Sequence, residues 1–292
     1  MRTHPGKGWS WRHRDGIDYL VLEVLEKTGL VRHGFSGRKG GISKSNYASL
    51  NLGLHVGDDP KAVLQNRQQF AKILGVSSEK IVVPAQVHSD QIEVVGQQHQ
   101  GLGAQDLDSA IPGADALVTQ EPGLSLCTYY ADCVPIFILD PIRPAIGLAH
   151  AGWKGTALKI AVKTLQRMKG AFDTNPGDCL VGIGPSIGPC CYEVDVPVLH
   201  KFIAAYPGEK IFSGKVTREI AENQIWLNPK ERVKLNLWEA NRQALLEVGV
   251  KPEHIWTAGL CTRCHLDSFF SYRGVNGKST GRMGAIISLI HD

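Results

Sequence analysis

Apolar runs of strand length and longer runs with helical spacing are interspersed along this 292-residue chain, without regular strand–helix–strand alternation. That order constrains the fold most. It favours the α+β class, a single domain of layered mixed β-sheets with flanking helices, over a doubly wound parallel sheet. The pattern predicts strands at 17–25, 81–83, 91–95, 115–119, 124–130, 134–139, 145–149, 179–183, 255–258, 269–272 and 285–290. A helix is expected after Asp59-Pro60, where proline suits the first helical position, and Gly75 closes it. Further helices are expected over 156–168, near 197–206, and after Asn236, with Glu239 placed for a capping box. The stretch 33–54 reads as a long Gly/Ser/Asn-rich loop, too specific in composition for a passive linker. With no linker-like tract and no internal repeat, one domain over 17–292 is expected, preceded by a basic extension over 1–16.

Composition excludes several classes. With 43% apolar and 21% charged residues the chain can bury a core, which rules out a disordered or fibrous protein. A net charge of +4 without a dense Lys/Arg block argues against a nucleic-acid-coating surface and allows a small anionic ligand at most. No apolar run approaches the roughly 18 residues of a membrane span. The first sixteen residues contain no apolar core of a secretory signal, and seven cysteines is an odd number for a disulfide framework. A reducing cytoplasm with free or metal-bound thiols is therefore expected.

The main chemical signal is His88 in Gln86-Val87-His88-Ser89, Cys133 in Ala131-Asp132-Cys133, and His150 in Ala149-His150-Ala151-Gly152, each at a predicted strand end. Two imidazoles and a thiolate suit Zn²⁺ with a fourth tetrahedral position open, and Cu²⁺ is the alternative by the affinity order. The spacing alone leaves a plainer reading open: a core histidine, an inert buried thiol and a capping histidine. The segment from His150 through Lys154 to Thr156 leads into a helix start that could hold an anion, although a plain glycine turn fits as well. Gly277-Lys278-Ser279-Thr280 lacks the upstream glycine of a P-loop, and Gly182–Gly188 departs from the dinucleotide fingerprint, with Pro185 breaking the helix start. Cys261-Thr262-Arg263-Cys264-His265 fits a haem-attachment pattern found in exported chains. It reads instead as two thiols in a connection, half of a structural zinc site or a redox pair, the usual second Cys-x-x-Cys being absent. Cys190-Cys191 lacks the motif context of the zinc nucleobase deaminases.

Taken in order, His33-Gly34-Phe35-Ser36, Arg38, Gly40-Gly41, Ser49–Gly53, His55–Asp59, Asn66-Arg67, Gln86-Val87-His88, Ala114-Asp115-Ala116, Asp132–Ile136, His150–Trp153, Ile183–Pro185, Phe270–Arg273 and Thr280–Met283 resemble the bacterial multicopper polyphenol oxidase or laccase-domain family. The resemblance runs from about residue 30 onward. It implies zinc ligands at His88, Cys133 and His150 and a metal-centred cleft built from loops. It also implies phosphorolysis of adenosine, inosine and methylthioadenosine to the free base and the sugar 1-phosphate, and deamination of adenosine to inosine. Purine nucleosides and phosphate are then the partners, with neither nucleic acid nor membrane.

The oxidase label fits poorly, because none of the eleven histidines forms a His-x-His pair for a multinuclear copper cluster. Within the implied site, Cys133 and His150 are catalytic candidates, and Gln86 and Asp132 are candidates to orient ligands or water. Arg38, Arg67, Lys154 and Arg273 are candidate substrate or phosphate contacts, against the ordinary expectation of structural hydrogen bonds or surface ion pairs. Two other readings use the same residues. Cys133 with His150 as base would make a metal-free cysteine hydrolase or amidase. A non-catalytic metallo-domain in cell-wall precursor editing, also linked to this family, is the third.

Overall fold

The computed structural model describes residues 4–207, 211–213 and 233–290. Two six-stranded mixed sheets lie face to face, their strands numbered along the chain. The first runs β1 (Trp9–Arg14), β2 (Ile17–Leu22), β3 (Val31–Ser36), β15 (Met283–Leu289), β7 (Ser125–Tyr130), β4 (Ile81–Val82). The second runs β14 (Ile255–Thr257), β10 (Leu180–Ile183), β8 (Val134–Asp140), β9 (Ala145–Ala151), β6 (Ala116–Thr119), β5 (Ile92–Val94). Each is mainly antiparallel, with parallel pairs at β4–β7, β5–β6 and β10–β14. A small third sheet joins β11 (Glu193–Val194), β13 (Val233–Leu235) and β12 (Phe212–Ser213).

Side-chain alternation along β8 explains the layering. Val134, Ile136 and Ile138 face one way, against Ile160, Ala161 and Leu165 of α4 (Ile160–Phe172) and Ala240 and Ala244 of α6 (Leu237–Glu247). Phe137 and Leu139 face the other way, into a core shared with Leu20, Leu126 and Ile287 of the first sheet. That sheet covers its outer face with Phe70, Ala71 and Leu74 of α2 (Pro60–Leu74), which meet Cys127, Tyr129 and Ile286. The order is helix, sheet, sheet, helix. Strands covered on both faces are largely apolar, and β7, β8 and β9 are buried at every position.

Helix starts follow the cap chemistry. Asp59 accepts the Lys61 N–H ahead of Pro60, and Gly75 ends α2 at φ 71°. Asp195 caps α5 (Val196–Ala205), and Asn236 caps α6 by accepting the Glu239 N–H.

The α+β layered architecture agrees with the expectation from sequence, and several local features differ. The strand expected over 17–25 stops at Leu22, where α1 (Glu23–Lys27) begins. The expected loop 33–54 opens inside β3, because Phe35 fills the core between the sheets. The helix expected over 156–168 is two, α3 (Trp153–Ala157) and α4, separated at Lys159, whose left-handed φ of 56° turns the chain. Residues 269–272 form no strand: their backbone is engaged in local turns, with the Phe269 N–H on the His265 carbonyl and the Ser271 carbonyl accepting the Val275 N–H. The segment drawn as an extension supplies β1, paired with β2 from Trp9↔Leu22 to Arg14↔Ile17, so a boundary at residue 17 cuts through a hairpin. Among the described residues no helix is long and apolar enough to cross a membrane.

Candidate metal centre

His88, Cys133 and His150 meet at one end of the second sheet. Cys133 stands immediately before β8, following Asp132 at φ 93°, and His150 is the penultimate residue of β9, opposite Pro135. His88 comes from the connection between β4 and β5, where its φ of 61° turns the loop back toward the sheet. Their ligand atoms all lie within 4.8 Å of one another. Cys133 Sγ is 3.8 Å from His88 Nε2, and the two imidazoles meet edge to face at 5.0 Å.

Asp115, the residue before β6, arranges two of the three. One carboxylate oxygen is 2.8 Å from His150 Nδ1. The other accepts the backbone N–H groups of Val87 at 3.1 Å and Ser89 at 2.6 Å, and the Ser89 hydroxyl at 2.9 Å. A single buried carboxylate thus orients one ligand ring and the loop that carries another, leaving His150 Nε2 for an ion.

The site accommodates a metal sterically and chemically. Gly152 lies against it, and a Cβ there would come within 2.9 Å of His88 Cδ2 and 3.0 Å of Cys133 Sγ. The donor set is two imidazoles and a thiol, with a carboxylate behind one imidazole, a combination that suits zinc with an open position. Burial pushes the Cys133 thiol up, but the charge of His150 and hydrogen bonds from His150 and His88 outweigh it, so the thiol lies below its usual value. Burial likewise opposes charge on His150, yet Cys133 and Asp115 hold its pKa above the ordinary range. Thiolate and imidazolium stabilise each other, and a bound cation would take the place of the imidazolium proton.

The triad lies on the wall of a cavity of about 740 Å³. Its lining includes Trp153, Ile187, Tyr192 and Tyr272, together with the guanidinium-bearing Arg273 and Arg282.

The other residues singled out from sequence separate into two groups. Gln86 lines the cavity, but its amide clamps Tyr129, donating to the carbonyl at 2.9 Å and accepting the N–H at 2.8 Å. Asp132 also lines it, and its carboxylate accepts the hydroxyls of Thr262 and Ser271, both at 2.6 Å, and the Arg273 N–H at 2.7 Å. It anchors the loop after β14. Arg273 stays at the cavity, donating to the Glu193 carbonyl at 3.1 Å with its guanidinium over the Tyr192 ring.

Arg38, Arg67 and Lys154 are not among the cavity-lining residues. Arg38 donates to the carbonyls of Ala48 and Leu266 and stacks on Phe270. Arg67 is buried, donating to the carbonyls of Leu52, Gly103 and Ala104 and stacking on Tyr129. Lys154 is exposed on α3, its ammonium over the Trp153 ring. Backbone carbonyls and aromatic faces occupy these three cations, which lie away from the cavity.

Among the cavity's imidazole and guanidinium side chains, His55 and Arg282 were not assigned a role from sequence. Burial in the cleft wall, then the charges of Arg282, Arg67 and His150, push His55 down to about 4. Both lie in segments that carry the family resemblance, His55–Asp59 and Thr280–Met283, so their signal was positional rather than chemical.

A family model described as multi-copper polyphenol oxidoreductase laccase matches residues 32–290. The purine nucleoside phosphorylase YlmD of Geobacillus stearothermophilus is 42% identical over 254 residues, 87% of this chain and 88% of that one. An adenosine deaminase from an unknown prokaryotic organism is 33% identical, covering 89% of this chain and 97% of its own. The crystal structure of YlmD from Geobacillus stearothermophilus superposes with a TM-score of 0.86 at 38% identity, over 96% of this chain and 98% of that one.

Proposed function

The chain belongs to the multi-copper polyphenol oxidoreductase laccase family, and from that premise we propose that it is a zinc-dependent purine nucleoside phosphorylase that also deaminates adenosine. The observation that carries this reading is the triad of His88, Cys133 and His150 on the wall of an aromatic-lined cavity of about 740 Å³, a size suited to a nucleoside. Zinc held by these three residues would supply a Lewis acid with an open position, able to lower the pKa of water toward about 7. Copper would fit the same donors.

The chain's own residues supply the rest. Asp115 fixes the His150 ring and the His88 loop, so the ligand positions are set before substrate arrives. Tyr192 and Tyr272 offer aromatic faces for a purine. Arg273 and Arg282, which reach the cavity while donating to backbone carbonyls, are the cations for phosphate; the sequence reading gave that role to Arg273, with Arg38, Arg67 and Lys154, and not to Arg282. His55, uncharged at neutral pH, adds a hydrogen-bonding group without competing for the phosphate. Purine nucleosides and phosphate in the cytoplasm are the setting this reading implies.

Incubation with adenosine, with and without phosphate, tests it. Adenine with ribose 1-phosphate, formed only when phosphate is present, supports phosphorolysis, and inosine formed without phosphate supports deamination. The absence of all these products would overturn the proposal.

One observation favours a second reading: Asp115, His150 and Cys133 lie in the order of an acid, a base and a nucleophile. This would make a metal-free cysteine hydrolase. Alkylation separates the two. A Cys133 thiol protected by bound zinc supports the metal enzyme, whereas an active protein with no zinc at the triad, inactivated by alkylation at Cys133, supports the hydrolase.

A further inference from the structure

A second set of thiols converges away from the triad. Cys190 and Cys191 lie in the connection between β10 and β11, and Cys261 and Cys264 in the connection between β14 and β15. The four sulfurs all lie within 4.8 Å of one another. Cys264 Sγ is 3.5 Å from that of Cys190 and 3.4 Å from that of Cys191, too far for a disulfide, and all four are free cysteines. Four sulfurs at the corners of a zinc tetrahedron with bonds of about 2.3 Å are about 3.8 Å apart, so the observed cluster needs only small movements to reach that spacing.

The surroundings suit thiolates. The Gly188 N–H donates to Cys261 Sγ at 3.2 Å, a backbone contact of the kind that supports thiolate ligands. Gly188 has no side chain in the space where a Cβ would lie 3.2 Å from Cys190 Sγ and 3.1 Å from Cys261 Cβ. Lys234 Nζ donates to the Cys190 carbonyl at 3.1 Å and Arg263 to the Cys191 carbonyl at 3.3 Å, which brings two cations beside a centre that would carry net negative charge. The two loops are held in register independently of any ion, because Ser186 and Cys261 form a parallel bridge, with the Thr262 N–H on the Ser186 carbonyl at 3.0 Å. Cys190 and Cys264 are exposed, so an ion has a route in.

We infer that Cys190, Cys191, Cys261 and Cys264 form a second metal site, a structural tetrathiolate centre for Zn²⁺ that is separate from the cavity triad. Four protein donors close the tetrahedron and leave no position for substrate, so the centre fastens loops and does no chemistry. Those loops carry Ile187 and Tyr192 on one side and Tyr272 and Arg273 on the other, which together form one wall of the cavity.

Elemental analysis of protein purified under reductant without added metal tests the assignment. About two zinc ions per chain are expected in the wild type. About one should remain in Cys133→Ser/His150→Ala and about one in Cys190→Ser/Cys264→Ser. Cobalt loaded into Cys133→Ser/His150→Ala should show the intense thiolate-to-metal charge-transfer absorption of a sulfur-rich tetrahedral site. A single zinc in the wild type that disappears with Cys133→Ser/His150→Ala would overturn the inference. So would a free-thiol count, in the denatured and chelated wild type, below the seven cysteines of the chain, since a disulfide would then occupy the cluster. Iron in place of zinc would overturn the choice of ion. If the quartet variant fails to fold, the wild-type stoichiometry and the cobalt spectrum of the cavity variant still decide.

Discussion

The cavity triad and the thiol quartet are both small clusters of soft ligands, and they are built on opposite principles. The triad takes its ligands from the ends of strands and a loop braced by Asp115, and it keeps one side open to the cavity. The quartet takes all its ligands from loops and would close its coordination with protein alone. Openness marks a site for chemistry and closure a site for architecture. The two are joined by Asp132, which precedes Cys133 and whose carboxylate holds Thr262, a residue between Cys261 and Cys264.

The strongest way to break this contrast is to remove one ligand from each cluster. Cys133→Ser should lower kcat/KM for adenosine phosphorolysis by on the order of 10³-fold, whereas Cys264→Ser should cost less than about tenfold, measured side by side at saturating phosphate. Equal losses would erase the distinction.

Asp115→Asn probes the brace. The residue behind His150 and the His88 loop should matter by about 10–100-fold in zinc affinity or activity, read by competition with a chromogenic chelator. The quartet's zinc should be unaffected by this change.

A paired substitution tests the packing of the two clusters. Gly152→Ala places a methyl 2.9 Å from the His88 ring, so zinc affinity at the triad should fall by about tenfold. Gly188→Ala meets Trp238 at 2.7 Å and Cys190 Sγ at 3.2 Å, and it should lower the unfolding midpoint with little effect on the triad's zinc. For the quartet itself, Cys190→Ser/Cys264→Ser should lower Tm by roughly 5 °C, corresponding to about 2 kcal/mol for a domain of this size, while the triad's zinc remains bound.

The smallest signal is the number of protons each site releases. Burial and neighbouring thiols push Cys190, Cys191 and Cys264 up to about 11, so these are protonated at neutral pH, while Cys261 lies below its usual value. At the triad the thiol is lowered, and the raised His150 brings a proton to be displaced. Zinc binding should release more protons at the quartet, about three or more, than at the triad, about one. Because binding expels protons, both affinities fall as pH falls, and the quartet's falls more steeply. Calorimetry at neutral pH in buffers of differing ionisation enthalpy, using variants that retain one site, measures both numbers.

The triad was legible in the sequence because its three ligands sit at strand ends, where apolar patterns break, and because those breaks carry the family resemblance. The layered fold was legible for the same reason: buried strands such as β8 are uninterrupted apolar runs. Half of the quartet was visible as Cys261-x-x-Cys264. Its other half is an adjacent pair, and Cys190 and Cys264, 74 positions apart, meet only through the bridge between Ser186 and Cys261. The roles of Arg38, Arg67 and Lys154 were not legible, because a cation's letter carries no record of which carbonyls or aromatic rings will claim it. Nor was the break at Lys159 apparent, since the helical spacing of apolar residues continues across a residue whose backbone is left-handed. Asp115 was visible as a motif letter, and its function required the register that sets β6 beside β9.

Cys133 and His150 sit at one end of the hairpin formed by β8 and β9, and its turn, Pro141 to Pro144, sits at the other. Seven residues of strand place some 20 Å between them, at about 3.3 Å per residue. Ile142 in that turn is 66% exposed. The chain therefore has a natural opening point: new termini or an inserted reporter at Ile142 would be carried on the hairpin while the ligand end keeps its geometry, a permutation that leaves the chemistry where it was.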